Sequence, residues 1–218
     1  MRRVNRSHRI GLSMRVVSEP TYPEARDALS QEWGSFLTYA MPEISWIPVP
    51  NLGADVVGFV KRWELDGLIL TGGDDIGATP VRDETETVLL NRFLEKGLPV
   101  FGVCRGLQFI VNHFKGTMAA HTLKNHVDRR HAVRFSLDAG PAIKSGAEFV
   151  TNSFHENIVH PSDLPDPLVP FALAMDQTVE GILCKACPLM AIMWHPERER
   201  PFQTVDRELI RWSFGVDR

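Results

Sequence analysis

Apolar residues along the chain alternate between short continuous runs and stretches with helical spacing. The runs predict strands at residues 8–17, 64–70, 98–103, 131–137, 148–152 and 179–194, the last with a turn near 184–188. Helical spacing predicts helices over residues 24–40, 104–116 and 205–214. A further helix follows Asp83 and Glu86, which resemble a capping box, and ends at Gly97 and Pro99. Residues 118–130 have little periodicity and are expected to form loops.

This alternation of strands and helices predicts an α/β fold with a mostly parallel central sheet and helices on both faces. No repeat, low-complexity tract or linker divides the 218 residues, so we expect one domain over residues 1–218, with a basic extension at 1–8.

Charge and composition narrow the range of partners. The formal net charge of −3 gives no general electrostatic reason to bind nucleic acid or an anionic membrane. The sequence shows neither a run long enough to span a membrane nor the apolar core of a secretory signal, which predicts a cytoplasmic protein. An odd set of three cysteines predicts reduced thiols rather than a disulfide framework.

Cys104 lies in the segment GVCRG, between a predicted strand and a predicted helix. This is the form of a nucleophile elbow, a tight turn that exposes its central side chain at the carboxyl edge of the sheet. The N-terminal N–H groups of the following helix would stabilise a thiolate there. The alternative is a buried, inert cysteine that packs as a small apolar residue.

A base and an orienting group for this cysteine are available in the segment MWHPE. His195 and Glu197 follow a strand-like run, and their spacing of two places both side chains on one side of an extended backbone. The carboxylate could hold the imidazole tautomer that accepts the thiol proton. Taken alone, such a pair is more often an ordinary set of surface polar residues.

Four segments in order, TGGDD, GVCRGLQ, TNSFHENI and MWHPE, resemble the class I glutamine amidotransferase superfamily, and especially its γ-glutamyl hydrolases. The resemblance implies a catalytic triad of Cys104, His195 and Glu197. It also implies an oxyanion hole formed by backbone N–H groups and a pocket for the glutamyl group. These remaining residues are Gly73 and Arg105 in the oxyanion hole, and Gln108, Ser153, Phe154 and His155 in the pocket. Without the resemblance, Gly73 would be a plain turn, Arg105 a solvated helix residue, and the rest ordinary helix or loop positions.

A narrower resemblance concerns the leaving amine. Glu156 departs from the histidine or glutamine of many family members, which puts an ordinary substrate in doubt. The stretch at 11–37, with its Tyr-x-Glu-x-Arg pattern, and the segment IMWHPERERPF are similar to hydrolases of γ-glutamyl-CDP-amidate in capsule phosphoramidate biosynthesis. This implies a small-molecule γ-glutamyl substrate that carries a cytidine nucleotide. Candidate phosphate contacts are Lys124, Arg129 and Arg130, although a solvated basic loop is the commoner role for such residues.

No cofactor and no metal are required by this chemistry. Cys184 and Cys187 form a Cys-x-x-Cys without a second pair. His121, His126 and His131 are spaced by five, which does not place them on one face of a helix, and Asp74 and Asp75 fit an acidic turn.

Other functions remain open at this level. The leaving amine could be γ-aminobutyrate, or ammonia passed to a partner synthase, and a catalytically silent binding protein could retain the fold. The oligomeric state is also open, a homodimer included.

Overall fold

The computed structural model of the chain describes residues 8–120 and 126–216. Its centre is a nine-stranded sheet in the order β4-β1-β5-β6-β13-β12-β11-β8-β9, beside two two-stranded sheets, β2-β3 and β7-β10. The strands are β1 (Arg9–Ser13), β2 (Arg15–Ser18), β3 (Ala25–Ala28), β4 (Ser45–Val49), β5 (Gly67–Leu70), β6 (Val100–Val103), β7 (Ala119–Ala120), β8 (Val127–Phe135), β9 (Glu148–Phe154), β10 (Asn157–Ile158), β11 (Leu168–Ala174), β12 (Val179–Cys184) and β13 (Leu189–Ile192). The α-helices are α1 (Glu32–Ala40), α2 (Val56–Trp63), α3 (Pro80–Glu95), α4 (Arg105–His113) and α5 (Thr204–Phe214).

The central sheet is parallel at one end and antiparallel at the other. Strands β4, β1, β5, β6 and β13 pair in parallel, whereas β13, β12, β11, β8 and β9 pair antiparallel. The predicted α/β fold is therefore confirmed, with a sheet that is mixed. The parallel half has its carboxyl ends at one edge, where ligands bind in open α/β sheets.

Helices cover both faces of the sheet, as predicted. Side chains of α1 and α5 pack with Ile69 and Phe101 in one core cluster. Side chains of α2, α3 and α4 pack with Leu68, Leu70 and Val100 in the other. Alternate residues of one strand thus enter opposite cores, which is why these strands are apolar throughout.

Two local predictions were wrong. Residues 25–28 do not begin a helix, because they pair with β2 in an antiparallel hairpin, and α1 begins only at Glu32. The hairpin, defined as residues 15–28, is held from outside by Asn51, whose backbone N–H and side-chain amide donate hydrogen bonds to Asp27 at 2.9 and 2.6 Å.

The expected capping box at Asp83 and Glu86 is also absent, since α3 begins earlier, at Pro80, after Thr79. Asp83 instead accepts a hydrogen bond from the Gly77 N–H at 2.7 Å, and Glu86 is buried in ion pairs. Polar residues near the start of this helix make tertiary contacts, which no local pattern reveals.

The basic extension predicted at residues 1–8 lies outside the described residues, apart from His8. Within the described ranges, none of the helices has both the length and the apolar character needed to cross a membrane.

Candidate active site

Cys104 occupies the sharp turn between β6 and α4. Its backbone adopts φ 53° and ψ −105°, a conformation that is strained for a residue with a side chain and typical of a nucleophile elbow. The turn is possible because Gly106 follows, where a Cβ would lie 2.2 Å from the Leu70 carbonyl oxygen. Cys104 is only 7% exposed and lines a cavity at the carboxyl edge of the sheet.

His195 and Glu197 follow β13, the strand next to β6. His195 Nδ1 lies 2.7 Å from Glu197 Oε1, and both side chains are buried. The separation fits a charge-assisted hydrogen bond from Nδ1–H to the carboxylate. This bond fixes the tautomer that leaves Nε2 free to exchange a proton.

Electrostatic coupling brings Cys104 and His195 into one unit. Burial alone would lower the pKa of His195. The charges and hydrogen bonds of the neighbouring Cys104 and Glu197 outweigh burial and raise the pKa from 6.5 to about 9. The folded site therefore favours the protonated form of this imidazole, the form that can donate a proton. The three residues singled out from the sequence therefore meet in space, while their catalytic roles stay a prediction.

The cavity that Cys104 and His195 share has a volume of about 130 Å³. Its walls come from the hairpin and α1, from the turn after β5, and from the segments around Phe154 and His195. The lining residues are Arg15, Ala28, Leu29, Ser30, Trp33, Thr71, Gly72, Gly73, Cys104, Phe154, His195, Glu197 and Arg198.

Asn152 holds the backbone of His195, a role that no motif in the sequence indicates. Asn152 Nδ2 donates to the His195 carbonyl at 2.8 Å, and the His195 N–H donates to Asn152 Oδ1 at 2.9 Å. Behind it, the buried Glu199 accepts from the Asn152 backbone N–H at 2.9 Å and from Nδ2 at 2.8 Å. These bonds tie β9 to the segment that carries His195.

The turn after β5 is held by Arg82, a second residue that sequence reasoning missed. Arg82 Nη2 donates to the carbonyls of Thr71 and Gly72 at 2.9 and 3.1 Å. Because a trans peptide directs its C=O and N–H to opposite sides, this places the Gly73 N–H away from Arg82. Gly73 has φ 155° and lines the cavity, and a Cβ there would lie 2.0 Å from Arg82 Nη1. The oxyanion role of Gly73 stays a prediction.

Arg105 is not a solvated residue in the first turn of its helix. Its side chain is buried and forms ion pairs with Glu86 and Asp83. Glu86 also accepts a hydrogen bond from Arg82 Nε at 2.9 Å, so one carboxylate links the arginine under the Gly73 turn to the arginine that follows Cys104. The oxyanion role predicted for Arg105 concerns its backbone N–H, which these contacts leave untested.

The four residues predicted to bind the glutamyl group lie in different surroundings. Phe154 lines the cavity, with its ring edge-on to His195 at a centroid distance of 5.9 Å. Ser153 and His155 are buried with their side chains engaged elsewhere: Ser153 Oγ donates to the His126 carbonyl at 2.6 Å, and His155 faces Glu180. Any contact of these two with substrate would therefore use the backbone. Gln108 is buried beside Met193, its Nε2 lying 3.8 Å from the sulfur.

The predicted phosphate contacts Lys124, Arg129 and Arg130 stay predictions, because the geometry of the cavity does not test them. Lys124 lies outside the described residues. Arg130 pairs with Glu199 at 3.0 Å, and neither it nor the exposed Arg129 lines the cavity. The arginines that do line it are Arg15, which pairs with Asp74 at 2.5 Å, and Arg198, whose guanidinium lies 4.9 Å from the centre of the Phe154 ring.

Cys184 and Cys187 lie close together, with their sulfurs 2.7 Å apart, and line a different cavity, of about 320 Å³. Burial and the neighbouring Cys184 raise the pKa of the Cys187 thiol to about 12. Neither cysteine contributes to the site around Cys104. Asp74 and Asp75 engage Arg15 and Asn157, so each has a protein partner.

Comparison with known proteins agrees with this geometry. The chain is 28% identical over 202 residues to the γ-glutamyl-CDP-amidate hydrolase of Campylobacter jejuni, with 90% of this chain and 93% of that protein covered. It is 29% identical over 158 residues to a putative glutamine amidotransferase-like protein of Lactococcus lactis, covering 61% of this chain and 66% of the relative.

Among solved structures, a putative GMP synthase protein of Thermoplasma acidophilum superposes with a TM-score of 0.71 at 20% identity, covering 96% of this chain and 94% of that one. This likeness shows the fold. The model of one family, Peptidase C26, matches residues 47–197, which include Gly73, Cys104, His195 and Glu197. The chain belongs to the Peptidase C26 family, whose members are class I glutamine amidotransferase-like proteins.

Proposed function

We propose that this protein hydrolyses a γ-glutamyl amide with Cys104 as nucleophile, His195 as general base and acid, and Glu197 as the group that orients His195. The observation that carries the proposal is the placement of Cys104 on a strained elbow, coupled to a buried imidazole whose pKa is raised to about 9. A strained turn held by its surroundings is a frequent mark of a functional residue.

The reaction follows from these positions. His195 takes the Cys104 proton, and the sulfur attacks the γ-carbonyl carbon to give a tetrahedral oxyanion next to the Gly73 and Arg105 N–H groups. As the C–N bond breaks, His195 returns the proton to the leaving amine, leaving a glutamyl thioester on Cys104. Water, deprotonated by His195, then attacks the thioester, and glutamate and the free thiol are released.

For the leaving amine, we propose a cytidine diphosphate amidate, so that the products are glutamate and cytidine diphosphoramidate. The relative from Campylobacter jejuni supports this choice, since it matches nearly end to end. The two cavity arginines, Arg15 and Arg198, provide positive charge for an anionic substrate. We place them ahead of Lys124, Arg129 and Arg130, which stay predictions.

Two other leaving groups belong to the same chemistry. γ-Aminobutyrate would also leave as a primary amine, and ammonia would leave from glutamine if a partner synthase consumed it. We place these second, because an anionic nucleotide offers charges that both cavity arginines can bind.

We also propose that residues 1–218 act as one domain. The central sheet contains strands from Arg9 to Ile192, and α5 packs on α1.

The test is glutamate release by the purified chain from γ-glutamyl-CDP-amidate, γ-glutamyl-γ-aminobutyrate and glutamine. We expect release chiefly from the nucleotide, lost in Cys104→Ala and kept in the matched control Cys184→Ser. Hydroxylamine in the assay should divert the product to glutamyl hydroxamate, which reports the thioester. Release that survives Cys104→Ala would overturn the mechanism, and release only from another amide would overturn the substrate.

A further inference from the structure

Behind the end of β9, which carries Phe154, three histidines surround one buried carboxylate. Glu180 on β12 is 0% exposed. His126 precedes β8, His131 lies within β8, and His155 directly follows β9. The rings of His131 and His155 each lie with their centroid 4.8 Å from that of His126. None of these four side chains has a part in the reaction proposed above.

The inner nitrogens of all three rings face the carboxylate. His126 Nδ1 lies 3.5 Å from Glu180 Oε1, and His155 Nε2 lies 3.4 Å from the same oxygen. His131 Nε2 lies 3.5 Å from Oε2. Ligand atoms of His126, His131 and Glu180 all lie within 4.8 Å of one another.

Outer contacts fix the tautomers of two of these rings. His126 Nε2 lies 2.9 Å from Asp176 Oδ2, and His155 Nδ1 lies 2.9 Å from the Asn157 carbonyl oxygen. Both partners accept hydrogen bonds, so each outer nitrogen carries the proton. In the neutral rings the inner nitrogens then present lone pairs, and they point at a carboxylate that also offers only lone pairs.

Acceptors that face one another across a buried space require a cation between them. A buried, uncompensated carboxylate costs several kcal/mol. The cation could be a proton on each ring or a metal ion, and the distances separate the two. Charge-assisted N–H···O bonds are about 2.7–2.9 Å long, shorter than the 3.4–3.5 Å found here. Ligands at about 2.0–2.1 Å from a tetrahedral Zn²⁺ lie roughly 3.3–3.4 Å apart.

We propose that Glu180, His126 and His131 bind a divalent transition metal ion of the Zn²⁺ class, with His155 next to the carboxylate. Imidazole and carboxylate ligands suit zinc better than calcium or magnesium, which prefer oxygen alone. The Asp176 contact with His126 is the carboxylate–histidine–metal arrangement that commonly supports a ligand. With neutral rings, the two carboxylates of Glu180 and Asp176 balance the charge of the ion.

The proposed ion is structural. It would join β8 to the start of β12, behind the end of β9 that presents Phe154 to the cavity. None of the three ligands lines the cavity of Cys104, which fits a structural rather than a catalytic ion.

The test is whether metal-free full-length protein binds Zn²⁺. Binding is measured by isothermal titration calorimetry and by the metal content of the protein after gel filtration. Because cysteine thiols would compete for Zn²⁺, the parent chain for this test carries Cys104→Ala, Cys184→Ser and Cys187→Ser together. We expect one Zn²⁺ per chain and a higher unfolding temperature when it is bound. Glu180→Gln, which keeps the shape of the side chain, should weaken binding at least about 100-fold, and Asp176→Asn about 10-fold. The exposed His160→Asn serves as the matched control and should bind like the parent.

Failure of the parent chain to bind Zn²⁺, Co²⁺ or Ni²⁺ stoichiometrically overturns the proposal, as does unchanged affinity in a folded Glu180→Gln. If Glu180→Gln does not fold, judged by circular dichroism, the Co²⁺ spectrum of the parent decides. Intense d–d bands of tetrahedral coordination support the site, and a weak octahedral spectrum rejects it. Binding is measured without turnover, so these outcomes are independent of the proposed hydrolase activity.

Discussion

Asn152 and His195 hold each other through two reciprocal hydrogen bonds, of 2.8 and 2.9 Å, between the amide side chain of one and the backbone of the other. His195 is therefore positioned twice, by Glu197 at its ring and by Asn152 at its main chain. Asn152 touches no reacting atom, so its effect on catalysis would be exerted through the position of His195.

Replacing Asn152 by alanine should slow the reaction while the fold persists. Two buried backbone groups lose their partners, which costs about 1–3 kcal/mol each at most, and a shift of the base by about 1 Å can cost about 100-fold in rate. We expect kcat to fall by about 10- to 100-fold with a smaller change in KM. The exposed Asn112→Ala is the control. A folded Asn152→Ala with wild-type kcat would contradict the positioning role.

Arg82→Lys should lower kcat more than it changes KM. Lysine keeps the charge beside Glu86 but loses the paired donors that orient the Thr71 and Gly72 carbonyls. Removing an oxyanion donor outright costs about 10²–10³ in kcat, and a misdirected Gly73 N–H should cost about 10-fold or more. Steady-state kinetics measures this, with the exposed Arg62→Lys as control. An equal rise in KM at unchanged kcat would show that Arg82 serves ground-state binding instead.

The cavity arginines should control the affinity for anionic substrate. A charge-assisted contact contributes about 1.5–3 kcal/mol, so Arg15→Ala and Arg198→Ala should each raise KM about 10-fold or more. Arg129→Ala, which alters an exposed arginine outside the cavity, is the matched control. Comparing γ-glutamyl-CDP-amidate with glutamine locates the contact. A rise confined to the nucleotide places the arginine on the diphosphate, and a rise with both substrates places it on the glutamyl carboxylate.

The stability of the protein should fall between mildly acidic and mildly alkaline pH because of Asp206. Burial, together with the charges of Glu199 and Glu197, raises the pKa of Asp206 from 3.8 to about 7, despite the hydrogen bond from Trp194. The folded state thus binds this proton more tightly than the unfolded state. The stabilising effect is fully present below the unfolded pKa and is lost as the pH rises through the folded pKa.

Asp206→Asn keeps an acceptor for Trp194 and removes the titration. At about 1.36 kcal/mol per pKa unit, the wild type should lose about 2–3 kcal/mol relative to Asp206→Asn between pH 5 and pH 8. Urea unfolding of both proteins at the two pH values measures the difference. Parallel stability profiles would show that Asp206 has an ordinary pKa in the folded state.

The sequence predicted those parts of the site that are set by local geometry. We could predict Cys104 from its position between a strand and a helix, and His195 from its position two residues before Glu197. Both signals depend only on residues that are close together in the sequence. Asn152 and Arg82 could not be predicted, since each acts on backbone groups that are distant in sequence. The hairpin was also missed: Ala25 and Leu29 have helical spacing with Trp33, but pairing with β2 outweighs that local preference.

The histidine cluster around Glu180 also could not be predicted from local sequence spacing. His126 and His131 are five residues apart, which in a regular strand would place them on opposite faces. A bulge between Val127 and Arg129, with Asp128 at φ 50°, adds one unpaired residue and brings both side chains to the same side. Without knowledge of the bulge, their spacing argued against a shared site.

The hairpin at residues 15–28 lies outside the stretch matched by the family model, yet it contributes Arg15 and Ala28 to the cavity wall. Under the proposed function, the hairpin would add to the substrate-binding wall from outside the stretch that contains Cys104, His195 and Glu197. For the proposed hydrolase, remodelling the fourteen residues of the hairpin is expected to change the choice of leaving group while the residues proposed for cleavage stay the same.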